Sequence, residues 1–208
     1  MFIHEMFQQK PWVFSVEVFP PKKAGAAEET LYPVLRELCT LGPDYISVTY
    51  GAGGGTAGQS TAKIASYIKN GLHVEALAHL TCVNSTRVQV EETLTRLRED
   101  NVENVLALRG DINPDLPRRM DFLHASDLAK AIAQTGGFGV AGACYPEGHV
   151  ESPSLKADVE SLRYKAEAGV SHLITQLFFD NVSYYRFLNM ARKAGISLPV
   201  QAGIMPIV

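Results

Sequence analysis

The chain has 208 residues, 46% of them apolar and 20% charged, with a formal net charge of −3. That balance describes an ordinary folded domain, excluding fibrous and disordered classes, and the slight negative charge excludes a nucleic-acid footprint or a polybasic membrane patch. No apolar stretch reaches the about 18 residues of a membrane span, Met1–Trp12 lacks a secretory pattern, and Cys39, Cys82 and Cys144 lie too far apart for a disulfide framework or a metal set, so a cytoplasmic protein with reduced thiols is expected.

The first apolar run, Val13–Phe19, reads as a strand that stops at Pro20-Pro21 and carries Glu17 between Val16 and Val18. A carboxylate with such neighbours needs a partner or a reaction. It reads either as a catalytic acid or as an edge-strand glutamate facing water. Helix Glu28–Leu41, strand Tyr45–Tyr50, helix Gln59–Asn70 and strand His73–Cys82 follow. Helix Ser85–Asp100 opens on Thr86-Arg87-Val88-Gln89, the spelling of a capping box, with Leu94 and Leu97 on its apolar stripe. Strand Asn104–Leu108 runs into Arg109-Gly110-Asp111, a second carboxylate at a strand end. Helix Ser126–Thr135, strand Gly139–Cys144, helix Ser154–Ala168, strand His172–Phe178, helix Val182–Ala194 and strand Pro199–Ile204 complete the pattern. Gly42, Gly71, Gly136, Gly169 and Gly195 each fall just past a helix, where a left-handed residue ends it.

Each repeat is about 30 residues, the size of a βαβ unit. Seven strands with six crossover helices imply parallel strands buried on both faces, as an open doubly wound sheet or a (βα)8 TIM barrel. Polar residues follow nearly every strand rather than one switch point, which favours the barrel. No linker or composition break divides residues 1–208, so one domain is expected. An eighth strand would fall beyond Val208, so the barrel is expected to be incomplete at its C-terminal side, with a second copy or a partner chain over the open edge.

The strand ends collect Glu17, Thr49, Tyr50, His79, Thr81, Arg109, Gly110, Asp111, Tyr145, Glu147, His149, Gln176 and Asp180. A barrel would bring them to one mouth. The set holds two carboxylates, a fixed cation, aromatic faces and an amide, but no clustered metal ligands, serine elbow or Walker loop. The chemistry suggested is proton transfer beside a large planar bound group. His79, inside Ala76-Leu77-Ala78-His79-Leu80-Thr81, reads on its own more readily as a core histidine bonded to a neighbouring carbonyl.

Six ordered strings resemble the methylenetetrahydrofolate reductase family of the bacterial, single-domain type. They are Ser15–Pro21, Ser47–Ala52, His79–Cys82, Ala107–Asp111, Tyr145–His149 and Ile174–Asp180, and the resemblance runs from about residue 12 to 208. It implies a TIM barrel holding non-covalent FAD, NADH or NADPH as the reductant, and reduction of 5,10-methylenetetrahydrofolate to 5-methyltetrahydrofolate. By the same resemblance Glu17 is the general acid, with a raised pKa, and Asp111 the carboxylate beside flavin and pterin. Thr49 and Gln176 fall near the nicotinamide, Gln176 also toward folate. Tyr50, Ala52, His79, Arg109, Gly110, Ala125, Tyr145, His149, Asp158 and Lys165 match the FAD shell, with Arg109 and Lys165 suited to its phosphates. Ser161 and Tyr164 depart from the family, which often has Asn and Arg there. A partner-dependent or non-catalytic flavin-binding barrel is the alternative.

Overall fold

The computed structural model describes residues 1–21, 23, 25–50, 57–112 and 119–205. Seven strands pair in parallel in chain order: β1 (Ser15–Val18), β2 (Tyr45–Val48), β3 (Glu75–Thr81), β4 (Asn104–Leu108), β5 (Gly139–Cys144), β6 (His172–Thr175) and β7 (Val200–Gln201). Sequential order is what a barrel wall requires, since a doubly wound sheet reverses direction at a switch point. Six helices cover the crossovers: α2 (Tyr32–Cys39), α3 (Ala57–Ser66), α4 (Arg87–Glu99), α5 (Ala125–Thr135), α6 (Leu155–Glu167) and α7 (Asn181–Lys193). A π-helical turn, Ala27–Leu31, leads into α2, and another, Tyr67–Gly71, extends α3.

One helix was not expected. Ile3–Gln9 forms α1, making seven helices among the described residues where the hydrophobic pattern gave six. It plugs the N-terminal end of the sheet: Ile3 and Met6 are buried against Tyr45, Leu77, Leu106 and Ala141. The Asn104 carboxamide fixes it there, accepting from the Ile3 amide at 2.8 Å and donating to the Met1 carbonyl at 3.1 Å.

Strand parity divides the core. Val16, Val18, Ile46, Val48, Ala76, Ala78, Val105, Val140 and Leu173 belong to the larger cluster, packed under the helices. Ser15, Glu17, Tyr45, Ser47, Leu77, His79, Leu106, Ala141 and Ile174 alternate with them and take the inner face. The sheet curls far enough for Gln201 of β7 to reach its first strands: its Nε2 donates to Ser15 Oγ at 2.9 Å, and its Oε1 accepts from the Tyr45 hydroxyl.

Helix ends mostly follow local chemistry. Thr86 and Gln89 make the reciprocal capping box of α4, and Ser154 Oγ accepts from the Ala157 amide at the start of α6. Gly42, Gly136, Gly169 and Gly195 have positive φ, as expected of helix ends. Gly71 does not. It lies inside the π-helical turn, and His73 just beyond takes the left-handed conformation instead. Strand β6 ends at Thr175, short of the expected Phe178; Phe178 instead stacks on Tyr184 at 4.9 Å.

Candidate active site

The strand ends open into a cavity of about 2850 Å³, well above the roughly 300–1,000 Å³ of an ordinary small-molecule site. Glu17, Thr49, Tyr50, His79, Arg109, Gly110, Asp111, Ala125, Tyr145, His149, Asp158, Lys165 and Gln176 all line it. Ala52 lies outside the described residues. Asp180, also collected among the strand ends, is instead the cap of α7, accepting from the Val182 amide at 2.8 Å.

Three strands assemble the innermost group. Glu17 stands opposite Ser47 in the β1–β2 register, and His79 lies one inward position further along β3 than Leu77, the register partner of Ser47. Ser47 Oγ is 2.7 Å from His79 Nε2, and Glu17 Oε2 is 3.4 Å from both. His79 and Ser47 are buried, while the Glu17 side chain keeps 46% of its exposure, turned to the cavity. His79 Nε2 therefore meets a hydroxyl and a carboxylate.

The acidity of Glu17 runs against expectation. Burial pushes its pKa up, but the hydrogen bond and charge of His79, helped by Ser47, outweigh it and leave the carboxyl below its usual range. The raised value was implied by the resemblance and suits an acid among apolar neighbours along its strand; the neighbours across the sheet, Ser47 and His79, are polar.

Just past β4 the chain turns at Gly110, whose φ is +86°, and a Cβ there would sit 3.0 Å from Thr81 Cβ. The Arg109 carbonyl accepts from the Cys82 and Val83 amides at 3.1 and 2.8 Å, so this strand end is held against β3. The Arg109 guanidinium makes a two-pronged pair with Glu151, both contacts 2.6 Å, which raises its pKa further. Asp111 and Gln176 are exposed on the cavity wall, and the Gln176 amide continues the sheet by donating to the Cys144 carbonyl at 2.8 Å.

Beyond β5, the Tyr145 ring meets His149 edge-on at 4.7 Å, and His149 Nδ1 accepts from the Glu151 amide at 3.1 Å. Asp158 in the first turn of α6 accepts from the His149 amide at 3.2 Å, fixing that loop to the helix. Lys165 donates to the Ala143 carbonyl at 2.6 Å, and burial lowers its pKa. The departing residues differ in accessibility: Ser161 Oγ donates to the Asp158 carbonyl at 2.6 Å, whereas Tyr164 stays exposed.

Reading along the chain missed the parts played by Ser47 and Glu151. A polar residue in the middle of Tyr45-Ile46-Ser47-Val48 was a usable signal for the first; the Arg109–Glu151 pair spans 42 residues and leaves no local pattern. Among the described residues there is no cluster of three or more metal-ligating side chains, and no helix long and apolar enough to cross a membrane.

The family model for methylenetetrahydrofolate reductase matches residues 2–208. A 5,10-methylenetetrahydrofolate reductase of Pectobacterium carotovorum is 38% identical over 193 residues, which cover 93% of this chain and 63% of that protein. Its counterpart from Escherichia coli is 36% identical, covering 93% and 64%. Methylenetetrahydrofolate reductase (NADH) 1 of Arabidopsis thaliana is 36% identical, covering 99% and 37%. The chain thus spans less than two thirds of the length of these relatives. Among solved structures, an oxaloacetate acetylhydrolase in complex with 3,3-difluorooxalacetate superposes with a TM-score of 0.65 at 13% identity, covering 99% of this chain and 73% of that one. At that identity the likeness speaks to the fold alone.

Proposed function

The chain belongs to the methylenetetrahydrofolate reductase family, and we propose from this that it carries the chemical centre for reducing 5,10-methylenetetrahydrofolate to 5-methyltetrahydrofolate. The reductant would be NADH or NADPH, with FAD held non-covalently between them. The observation that supports this most is Glu17, an acid paired with His79 inside a cavity large enough for a cofactor and a substrate together.

The residues present fit a flavin nucleotide. The cavity offers the flat Tyr145 ring, the Arg109 guanidinium and the N-terminal end of α5 at Ala125, whose helix dipole suits a phosphate. When bound, FAD would supply hydride-transfer chemistry between the nicotinamide and the folate. Arg109, Tyr145, His149 and Lys165 would hold that group, with Tyr50, His79, Gly110, Ala125 and Asp158 completing its surroundings. Thr49 and Gln176 would border the face that receives the nicotinamide and then the pterin.

The residue chemistry is acid catalysis. Glu17 would give its proton to the amine nitrogen of the methylene bridge, so that the carbon–nitrogen bond breaks toward the nitrogen and leaves a cationic iminium. An unprotonated amine leaves poorly, so a positioned acid contributes typically about 10²–10⁴-fold. Asp111 would stabilise the positive charge that develops.

The purified protein should be yellow, its flavin reduced by nicotinamide without air and reoxidised by methylenetetrahydrofolate. Glu17→Gln should keep flavin and its reduction while folate reduction falls by about 10² or more. A protein that takes up no flavin, or a Glu17→Gln variant that loses both half-reactions together, would overturn the reading.

A further inference from the structure

We infer that the acid of this site is a three-residue unit, in which His79, through Ser47, positions Glu17 and returns the proton that Glu17 gives away. This rests on the folate-reducing role proposed for Glu17. Three adjacent strands deliver the side chains to the same inner face, so the sheet register itself sets their spacing.

The contacts form a continuous path. His79 Nε2 lies 2.7 Å from Ser47 Oγ, and Ser47 Oγ lies 3.4 Å from Glu17 Oε2. The 3.4 Å separation of His79 Nε2 from Glu17 Oε2 closes the triangle. Ser47 and His79 are only 4% and 7% exposed, so the path is shielded at its inner end, while Glu17 faces the cavity. A hydroxyl can accept from an imidazole N–H while donating to a carboxylate, and Ser47 is placed to do both.

The proton count closes. Glu17 in its acid form loses its proton to the substrate nitrogen and becomes a carboxylate. In one concerted shift the Ser47 hydroxyl proton then moves to Glu17 Oε2 as the His79 Nε2 proton moves to Ser47 Oγ, so no alkoxide forms. His79 passes from imidazolium to neutral imidazole and recovers a proton from water between turnovers. No electron changes hands in these steps.

Among the described residues, two titratable groups interact with Glu17. One is His79 on β3. The other is Tyr45 on β2, which burial pushes up to about 12, so it stays a neutral phenol while enzymes work. That leaves His79 as the group that exchanges a proton with the carboxylate. Its pull also accounts for the lowered pKa of Glu17, since burial alone would raise it.

The test combines Ser47→Ala, His79→Asn and Glu17→Gln. Infrared titration of the Glu17 carboxyl, assigned by difference from Glu17→Gln, needs no cofactor and so survives a variant that loses flavin. It should show the carboxyl titrating at higher pH in His79→Asn and, by less, in Ser47→Ala. In flavin-loaded protein the folate half-reaction of Ser47→Ala should slow by up to about 10²-fold, the scale of a misplaced catalytic group, with an altered pH profile and unchanged flavin reduction by nicotinamide. A carboxyl that titrates as in wild type in both variants would overturn the proposal. If the carboxyl shifts appear but Glu17→Gln reduces folate at the wild-type rate, the coupling stands and the folate reading falls.

Discussion

Gly110 and Arg109 are neighbours in the chain with separate physical constraints. Gly110 needs its positive φ, and it needs the space in which a Cβ would press on Thr81. Gly110→Ala should therefore destabilise the fold by about 2 kcal/mol or more, the left-handed penalty plus the crowding. Denaturant unfolding would measure it, and a variant as stable as wild type would mean that this strand end relaxes freely. Arg109 is held by charge. Its partner Glu151 occupies both prongs of the guanidinium, so a phosphate reaching Arg109 has to share it or displace Glu151. Lys165 is similarly engaged, by a backbone carbonyl. Both cations are thus held in place by protein groups, and both line the cavity.

At the scale of elements, alternation between β-rich runs and amphipathic stretches made every strand and every crossover helix legible, with ends differing by a few residues. α1 was not legible. It has only seven residues, Phe2 precedes it without a side-chain cap hydrogen bond, and its burial is decided by Asn104 and the far ends of four strands. The site divides the same way: motif spelling pointed to Glu17 and His79, but the acidity of Glu17 depends on Ser47 and His79 across the sheet. α1 also covers a buried titrating group. His172, 1% exposed, packs against Phe7 with ring centroids 5.4 Å apart, and burial, reinforced by His4, lowers its pKa from 6.5 to about 4. The unfolded chain therefore binds a proton at His172 before the folded protein does. Stability from this residue is complete above pH 6.5 and falls as pH drops toward about 4, a loss of ~3 kcal/mol. His172→Leu should flatten that part of the stability–pH curve in urea titrations. A variant that tracks wild type through the window would show that His172 is not the group responsible.

For the whole molecule, β1 and β7 are the two ends of the sheet order, with no ladder joining them among the described residues. Across that seam the interior is bridged by a side chain. Gln201 donates to Ser15 and accepts from Tyr45, one layer below Glu17, so one carboxamide ties β7 to both β1 and β2. A backbone ladder would spread this load over several hydrogen bonds; here much of it falls on one residue. Replacing Gln201 by Leu keeps the bulk but leaves the buried Tyr45 hydroxyl without that acceptor, which costs about 1–3 kcal/mol. For a chain of this size that corresponds to a melting temperature lower by roughly 2–4 °C per kcal/mol. Because Ser15 and Tyr45 flank the strand segment that carries Glu17, the variant should also weaken the folate half-reaction more than the nicotinamide one. Thermal melts and the two half-reactions, measured on the same preparation, test this together. A Gln201→Leu protein with an unchanged melt and unchanged half-reactions would mean that the wall is held by its helices and that the cross-sheet bridge carries little.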